Sequence, residues 1–172
     1  MKNLLSVYRV ISYIILIIAG ILAFFDLFTL LAALSYPVFF IVVFVLTSVI
    51  IYTFTSFSFY NKGVQNGRLL KPSLKDWIKV NAYVTIFFCA LILIDFSFFF
   101  LNPSSRADMI KMINDMRAKV PDTKTSSEAI LRASINMIYI ATAYSVLLLA
   151  HVIISLRLVK KYNNLFGGNG TV

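Results

Sequence analysis

Four long stretches of this 172-residue chain are almost unbroken in apolar residues. They cover residues 10–33, 38–59, 80–101 and 133–156. A helix needs about 20 apolar residues to cross a ~30 Å hydrocarbon core, so each stretch is long enough. β-Branched and aromatic residues are frequent in them, but each run is far longer than a strand and lacks sustained alternation. Open sheet edges are not tolerated in lipid. The pattern therefore predicts an all-α fold, an integral membrane four-helix bundle with residues 1–172 as a single membrane domain.

The polar segments between the spans carry their own patterns. In the loop after the third span, Asn102-Pro103-Ser104-Ser105 marks a helix start with Pro in the first turn. Met109, Ile110, Met112, Ile113, Met116 and Val120 then recur at helical spacing, opposite Arg106, Lys111, Asp115, Arg117 and Lys119. This predicts an amphipathic helix over about residues 103–120, lying on the membrane, capping the bundle or offering its methionines as an adaptable surface. Val120-Pro121-Asp122 ends it. Thr125-Ser126-Ser127-Glu128 forms a capping box, so the fourth helix starts before the membrane and runs to about Tyr162. After the second span, Asn61-Lys62-Gly63 and Asn66-Gly67 are turn signals. Ser73-Leu74-Lys75-Asp76 is a second capping box, opening the third helix. The glycine-rich tail, residues 167–172, is expected to be flexible.

Charge sets the orientation. Lys and Arg gather in cytoplasmic loops. Lys2 and Arg9 precede the first span, Lys62, Arg68, Lys71, Lys75 and Lys79 follow the second, and Arg157, Lys160 and Lys161 follow the fourth. Both termini are therefore expected in the cytoplasm, with the protein in the plasma (inner) membrane. Six basic residues fall in the outer loop, diluted by Asp108, Asp115, Asp122 and Glu128. Tyr8, Tyr13, Tyr36, Trp77, Tyr83 and Tyr162 sit near the span ends, where amphipathic rings prefer headgroups. Lys2 and Arg9 also resemble a signal-peptide n-region, but the first apolar run is too long for an h-region and is expected to remain a span.

The first and third spans resemble one another. Arg9-Val10-Ile11-Ser12-Tyr13 aligns with Lys79-Val80-Asn81-Ala82-Tyr83, and each run continues to an aspartate. Tyr60-Asn61-Lys62 after the second span corresponds to Tyr162-Asn163-Asn164 after the fourth. A tandem duplication of a two-helix hairpin accounts for this, as does chance likeness between apolar helices with basic starts.

Composition agrees with a membrane setting. The chain is 60% hydrophobic, against about 45–50% for a soluble domain. The net charge of +9 is explained by topology rather than by nucleic acid. One cysteine, Cys89, makes no intramolecular disulfide, and its apolar setting suits packing rather than nucleophilic attack. One histidine and no ligand cluster point to no metal and no cofactor. No phosphate loop or hydrolase motif points to a catalytic residue.

Asp26 and Asp95 lie inside apolar spans, where an ionisable group costs ~2.5–3.5 kcal/mol and faces the bundle interior or a cavity. Each follows the basic residue opening its helix by 16 or 17 positions, placing both in the outer third of the membrane. Asp26 continues the small-residue stripe Ala19, Ala23 and Ala33, and Asp95 continues Asn81, Thr85, Phe88 and Ile92. If they met, one would hold a proton, and the pair would suit a cation or proton path. Alternatively each takes a hydroxyl from Ser48, Tyr52, Thr55, Ser56, Tyr139 or Tyr144, or pairs with Arg106 or Arg132. His151, in the inner part of the fourth span, is too far in depth to pair with them. It is read as a hydrogen-bonding packing residue, with proton relay as the alternative. Lys62, Arg68, Lys71, Lys75 and Lys79 suit anionic lipid headgroups, a property that basic loops beside a membrane share generically.

These readings predict a non-enzymatic subunit or oligomeric component of an inner-membrane assembly. Its partners would be the lipid bilayer and other membrane helices, its own copies or a neighbouring protein. The alternative is a small ion or proton channel or transporter using Asp26 and Asp95.

Overall fold

The computed structural model describes residues 2–119 and 126–167. All regular structure among them is helical: α1 (Lys2–Ser35), α2 (Phe39–Ser58), α3 (Pro72–Leu101), α4 (Pro103–Lys119) and α5 (Ser127–Lys161). A π-helical stretch, Phe59–Gln65, prolongs α2, and a 3-10 turn, Asn163–Phe166, follows α5. Four helices are long and apolar enough to cross a membrane: α1, α2 with its prolongation, α3 and α5. The chain is a multi-pass membrane protein, all-α, with four membrane-length helices.

Two compact units divide the chain, Met1–Phe88 with Leu147–Val172, and Cys89–Val146. The first unit holds α1, α2, the start of α3 and the end of α5. Its buried positions recur every three, four or seven residues, as one helix face requires. On α1 they are Tyr8, Ser12, Ile15, Ala19, Asp26 and Ala33. On α5 they are Leu148, His151, Val152, Ser155, Leu158 and Val159. Large apolar residues on the opposite faces, among them Ile17, Leu27, Phe44 and Phe87, are exposed, which suits lipid rather than water.

The segment after α2 differs from expectation. Asn61-Lys62-Gly63 is wound into the π-helical stretch rather than forming a turn. A glycine serves close packing here, since a Cβ on Gly63 would lie 2.6 Å from Leu70 Cδ1 and 3.4 Å from Leu165 Cδ1. The turn comes at Asn66-Gly67, where Gly67 adopts φ +63°. The 3-10 turn packs on this stretch: Leu70 N donates to the Leu165 carbonyl (2.8 Å), and Phe59 stacks on Phe166 with centroids 5.3 Å apart.

Helix starts are also shifted. α3 begins at Pro72, one residue before the expected cap, and the Leu74 N–H donates to the Lys71 carbonyl (3.0 Å). Pro72 has no N–H to satisfy and a preset φ, so a Ser73 cap is unnecessary. For α5, Thr125 lies outside the described residues, and Ser126 Oγ accepts from the Ala129 N–H (3.1 Å). Glu128 accepts from Arg132 (2.6 Å), one helical turn on, and its expected partner, the Thr125 N–H, lies outside the described residues.

In the second unit, α4 covers the expected helical segment, with Asn102 Oδ1 accepting from both the backbone N–H and the hydroxyl of Ser104. Ile113 is buried, whereas Ile110 and Met112 on the same apolar stripe are exposed. Tyr139 packs against Phe96 and Phe100. Cys89 is buried. The expected stop at Val120-Pro121-Asp122 and residues 168–172 of the tail lie outside the described residues.

Candidate functional site, a buried histidine between three helices

The most developed polar site lies in the first unit, where α1, α2 and α5 meet around His151. The ring is almost fully buried, 1% exposed, and both nitrogens are engaged. Nε2 lies 2.8 Å from Ser12 Oγ on α1, and Nδ1 lies 2.8 Å from the Tyr52 hydroxyl on α2. Tyr8, one turn before Ser12, stacks on the ring at a centroid distance of 4.5 Å and an interplanar angle of 10°. Its hydroxyl donates to Ser155 Oγ (3.2 Å), one turn after the histidine.

Proton positions follow from the donor and acceptor inventory. Ser12 Oγ lies 2.7 Å from the Tyr8 carbonyl oxygen, which can only accept, so the single Ser12 proton points there. Ser12 must then accept from His151, which places the ring proton on Nε2. Nδ1 in turn accepts from Tyr52. The network thus assigns the Nε2–H tautomer. One imidazole connects three helices with both ring atoms committed.

The small-residue face of α1 makes this approach possible. Ser12, Ile15 and Ala19 follow Tyr8 on one buried stripe, so neighbouring helices come close enough for short hydroxyls to reach. Below the ring, Tyr60 packs edge-on against Tyr8 at 5.2 Å, and its hydroxyl donates to the Leu5 carbonyl (3.5 Å).

The two intramembrane carboxylates differ. Asp26 is buried, 9% exposed, and Oδ2 accepts from Thr47 on α2 (2.7 Å). Oδ1 is buried and takes no hydrogen bond among the described residues. Asp95 belongs to the other unit and is exposed rather than inward-facing. Burial fades along its stripe, from Asn81 and Thr85, both buried, through half-buried Phe88 and Ile92. Asn81 and Thr85 turn back on their own helix, donating to the carbonyls of Trp77 and Asn81. Asp95 lines a groove of about 300 Å³ with Ile92, Phe96, Phe99, Ile138 and Thr142.

None of the hydroxyls proposed from sequence serves Asp26. Ser48, Thr55 and Ser56 donate to carbonyls of their own helix, and Tyr52 serves the histidine. Tyr144 Oη is buried with no hydrogen bond among the described residues. Arg132 pairs with Glu128 instead of an aspartate, and nothing is described of the Arg106 side chain. Thr47 was missed, although hairpin register points to it: in a hairpin turning at residues 36–38, positions 26 and 47 lie ten and nine residues from the turn.

The basic residues also separate. Lys62, Arg68 and Lys71 are exposed around the π-helical stretch and its turn. Lys75 and Lys79 lie a turn apart on α3 and share a groove with Lys160 of α5. Among the described residues no three His, Cys, Asp or Glu gather as a metal site requires. No family model, curated protein or solved structure matches the chain.

Proposed function

We propose that the protein is a non-enzymatic subunit or oligomer-forming component of an inner-membrane assembly, with both termini cytoplasmic. One observation carries this reading: Asp95 is exposed within the outer third of the apolar run of α3, beside a groove of about 300 Å³. A carboxylate facing lipid is costly, by up to ~2.5–3.5 kcal/mol at the centre of a span and less toward its ends. A neighbouring membrane helix that brings a hydroxyl, amide or basic group into the groove removes much of that cost. The His151 cluster supports the same reading, because its polar groups are spent on holding α1, α2 and α5 together. Orientation rests on ten basic residues, Lys2, Arg9, Lys62, Arg68, Lys71, Lys75, Lys79, Arg157, Lys160 and Lys161, against six between residues 102 and 132.

Native mass spectrometry in mild detergent, with cross-linking in the source membrane, tests the proposal. Expected is a homo-oligomer or a defined hetero-complex that is lost in Asp95→Leu. A monomer that captures no membrane protein refutes it.

The buried, unbonded Asp26 Oδ1 favours a second reading, an ion or proton path using Asp26 and Asp95. Flux in proteoliposomes that falls in Asp26→Asn and Asp95→Asn supports this reading. Flux no higher than in protein-free vesicles eliminates it.

A further inference from the structure

We infer that the groove between the start of α3 and the end of α5 binds the phosphate headgroup of an anionic phospholipid. The groove belongs wholly to the first unit. Its volume is about 440 Å³, and it is lined by Lys75, Lys79, Tyr83, Lys160 and Asn163 with apolar Leu156 and Val159. This volume falls within the ~300–1,000 Å³ typical of small-molecule sites.

Three features fit a lipid rather than a soluble anion. The first is the vertical order of the lining. Lys75, Lys79 and Tyr83 follow one another at four-residue spacing up a single face of α3, from charged to aromatic. On α5, Leu156, Val159, Lys160 and Asn163 repeat the order in reverse. Charge therefore lies at the end of both apolar runs, and apolar surface continues from it into the span. A phosphodiester with acyl chains has the same polarity along its length.

The second feature is a fixed polar edge. Lys75 is half-buried and donates to Asn163 Oδ1 (2.6 Å), joining the first turns of α3 to the segment after α5. This bridge closes the charged end of the groove. Lys79 and Lys160 line the same groove, remain exposed and form no ion pair among the described residues. Asp76, the acid nearest in sequence, lines a separate groove with Ser73, Trp77 and Val80.

The third feature is selectivity among the basic residues. Basic pockets between membrane helices bind anionic headgroups, whereas scattered juxtamembrane lysines attract them without a site. Lys62, Arg68 and Lys71 are of the scattered kind. Lys160 joins the site although sequence separates it from the basic loop.

The test is lipid binding by the purified full chain in neutral detergent, followed by native mass spectrometry with phosphatidylglycerol, phosphatidylcholine or inorganic phosphate added. Expected is one tightly retained phosphatidylglycerol and no comparable retention of phosphatidylcholine. Lys79→Gln with Lys160→Gln should weaken phosphatidylglycerol about thirtyfold, roughly a factor of five for each lysine near a membrane surface. Lys62→Gln with Arg68→Gln removes the same charge outside the groove and should leave retention unchanged. Lys79→Arg with Lys160→Arg keeps the charge and should retain the lipid. Equal loss in both neutral pairs would show generic attraction and overturn the inference. So would undiminished binding in Lys79→Gln/Lys160→Gln, or displacement of the lipid by inorganic phosphate that binds equally well alone.

Discussion

Replacing His151 by Phe separates the ring's packing from its hydrogen bonds. The substituted ring can still stack on Tyr8, which lies 4.5 Å away in the native arrangement, but both nitrogens are gone. The bonds to Ser12 and Tyr52, each 2.8 Å, are lost together. Side-chain hydrogen bonds between membrane helices average ~0.6 kcal/mol and reach ~1.7. At a site this deeply buried, about 1 kcal/mol each is reasonable, so His151→Phe should cost about 2 kcal/mol. Tyr52→Phe removes one of the same bonds from its other side, for about 1 kcal/mol. The double variant counts the shared bond once. It should therefore cost about 2 rather than about 3 kcal/mol, a coupling of about 1 kcal/mol. At about 2–4 °C per kcal/mol for a chain of this size, His151→Phe lowers Tm by about 4–8 °C. The assay is loss of helical circular dichroism on heating in detergent. Strictly additive losses, or an unchanged Tm in His151→Phe, would refute the assigned network.

Two further substitutions test the packing around this centre by the same assay. Thr47→Val removes the donor to Asp26 Oδ2 and should cost about 1 kcal/mol, whereas Thr47→Ser should restore most of it; equal losses would show that the hydroxyl is irrelevant. Gly63→Ala places a methyl 2.6 Å from Leu70 Cδ1 and should cost about 1–3 kcal/mol, and a neutral result would mean that Leu70 can turn away freely.

The spans were legible in the sequence because length and apolarity alone define them. Their ends were less so, since local signals there compete with packing. Gly63 looks like a turn residue, yet its missing side chain admits Leu70 and Leu165. Ser73 looks like a cap, yet Pro72 makes one unnecessary. The stripe carrying Asp26 was correctly legible from its small residues, because helices approach along such faces. Asp95 misled, because its polar neighbours Asn81 and Thr85 satisfy themselves against their own helix and say nothing about where the carboxylate faces. His151 was recognisable as a hydrogen-bonding residue. Its partners were not, because they lie 139 and 99 positions away on helices whose rotation only packing fixes.

That separation has a consequence for how the chain is made. Ser12 and Tyr52 are synthesised before His151, Tyr52 by 99 residues. At ~5–20 residues per second, Tyr52 is synthesised roughly 5–20 s before the imidazole exists. Ser12 meanwhile keeps its bond to the Tyr8 carbonyl within α1, so its hydroxyl need not wait. The Tyr8 ring face does wait for the imidazole. The last helix therefore completes a centre already prepared by the first two, and a ribosome that stalls before α5 leaves a recognisably unfinished product for membrane quality control.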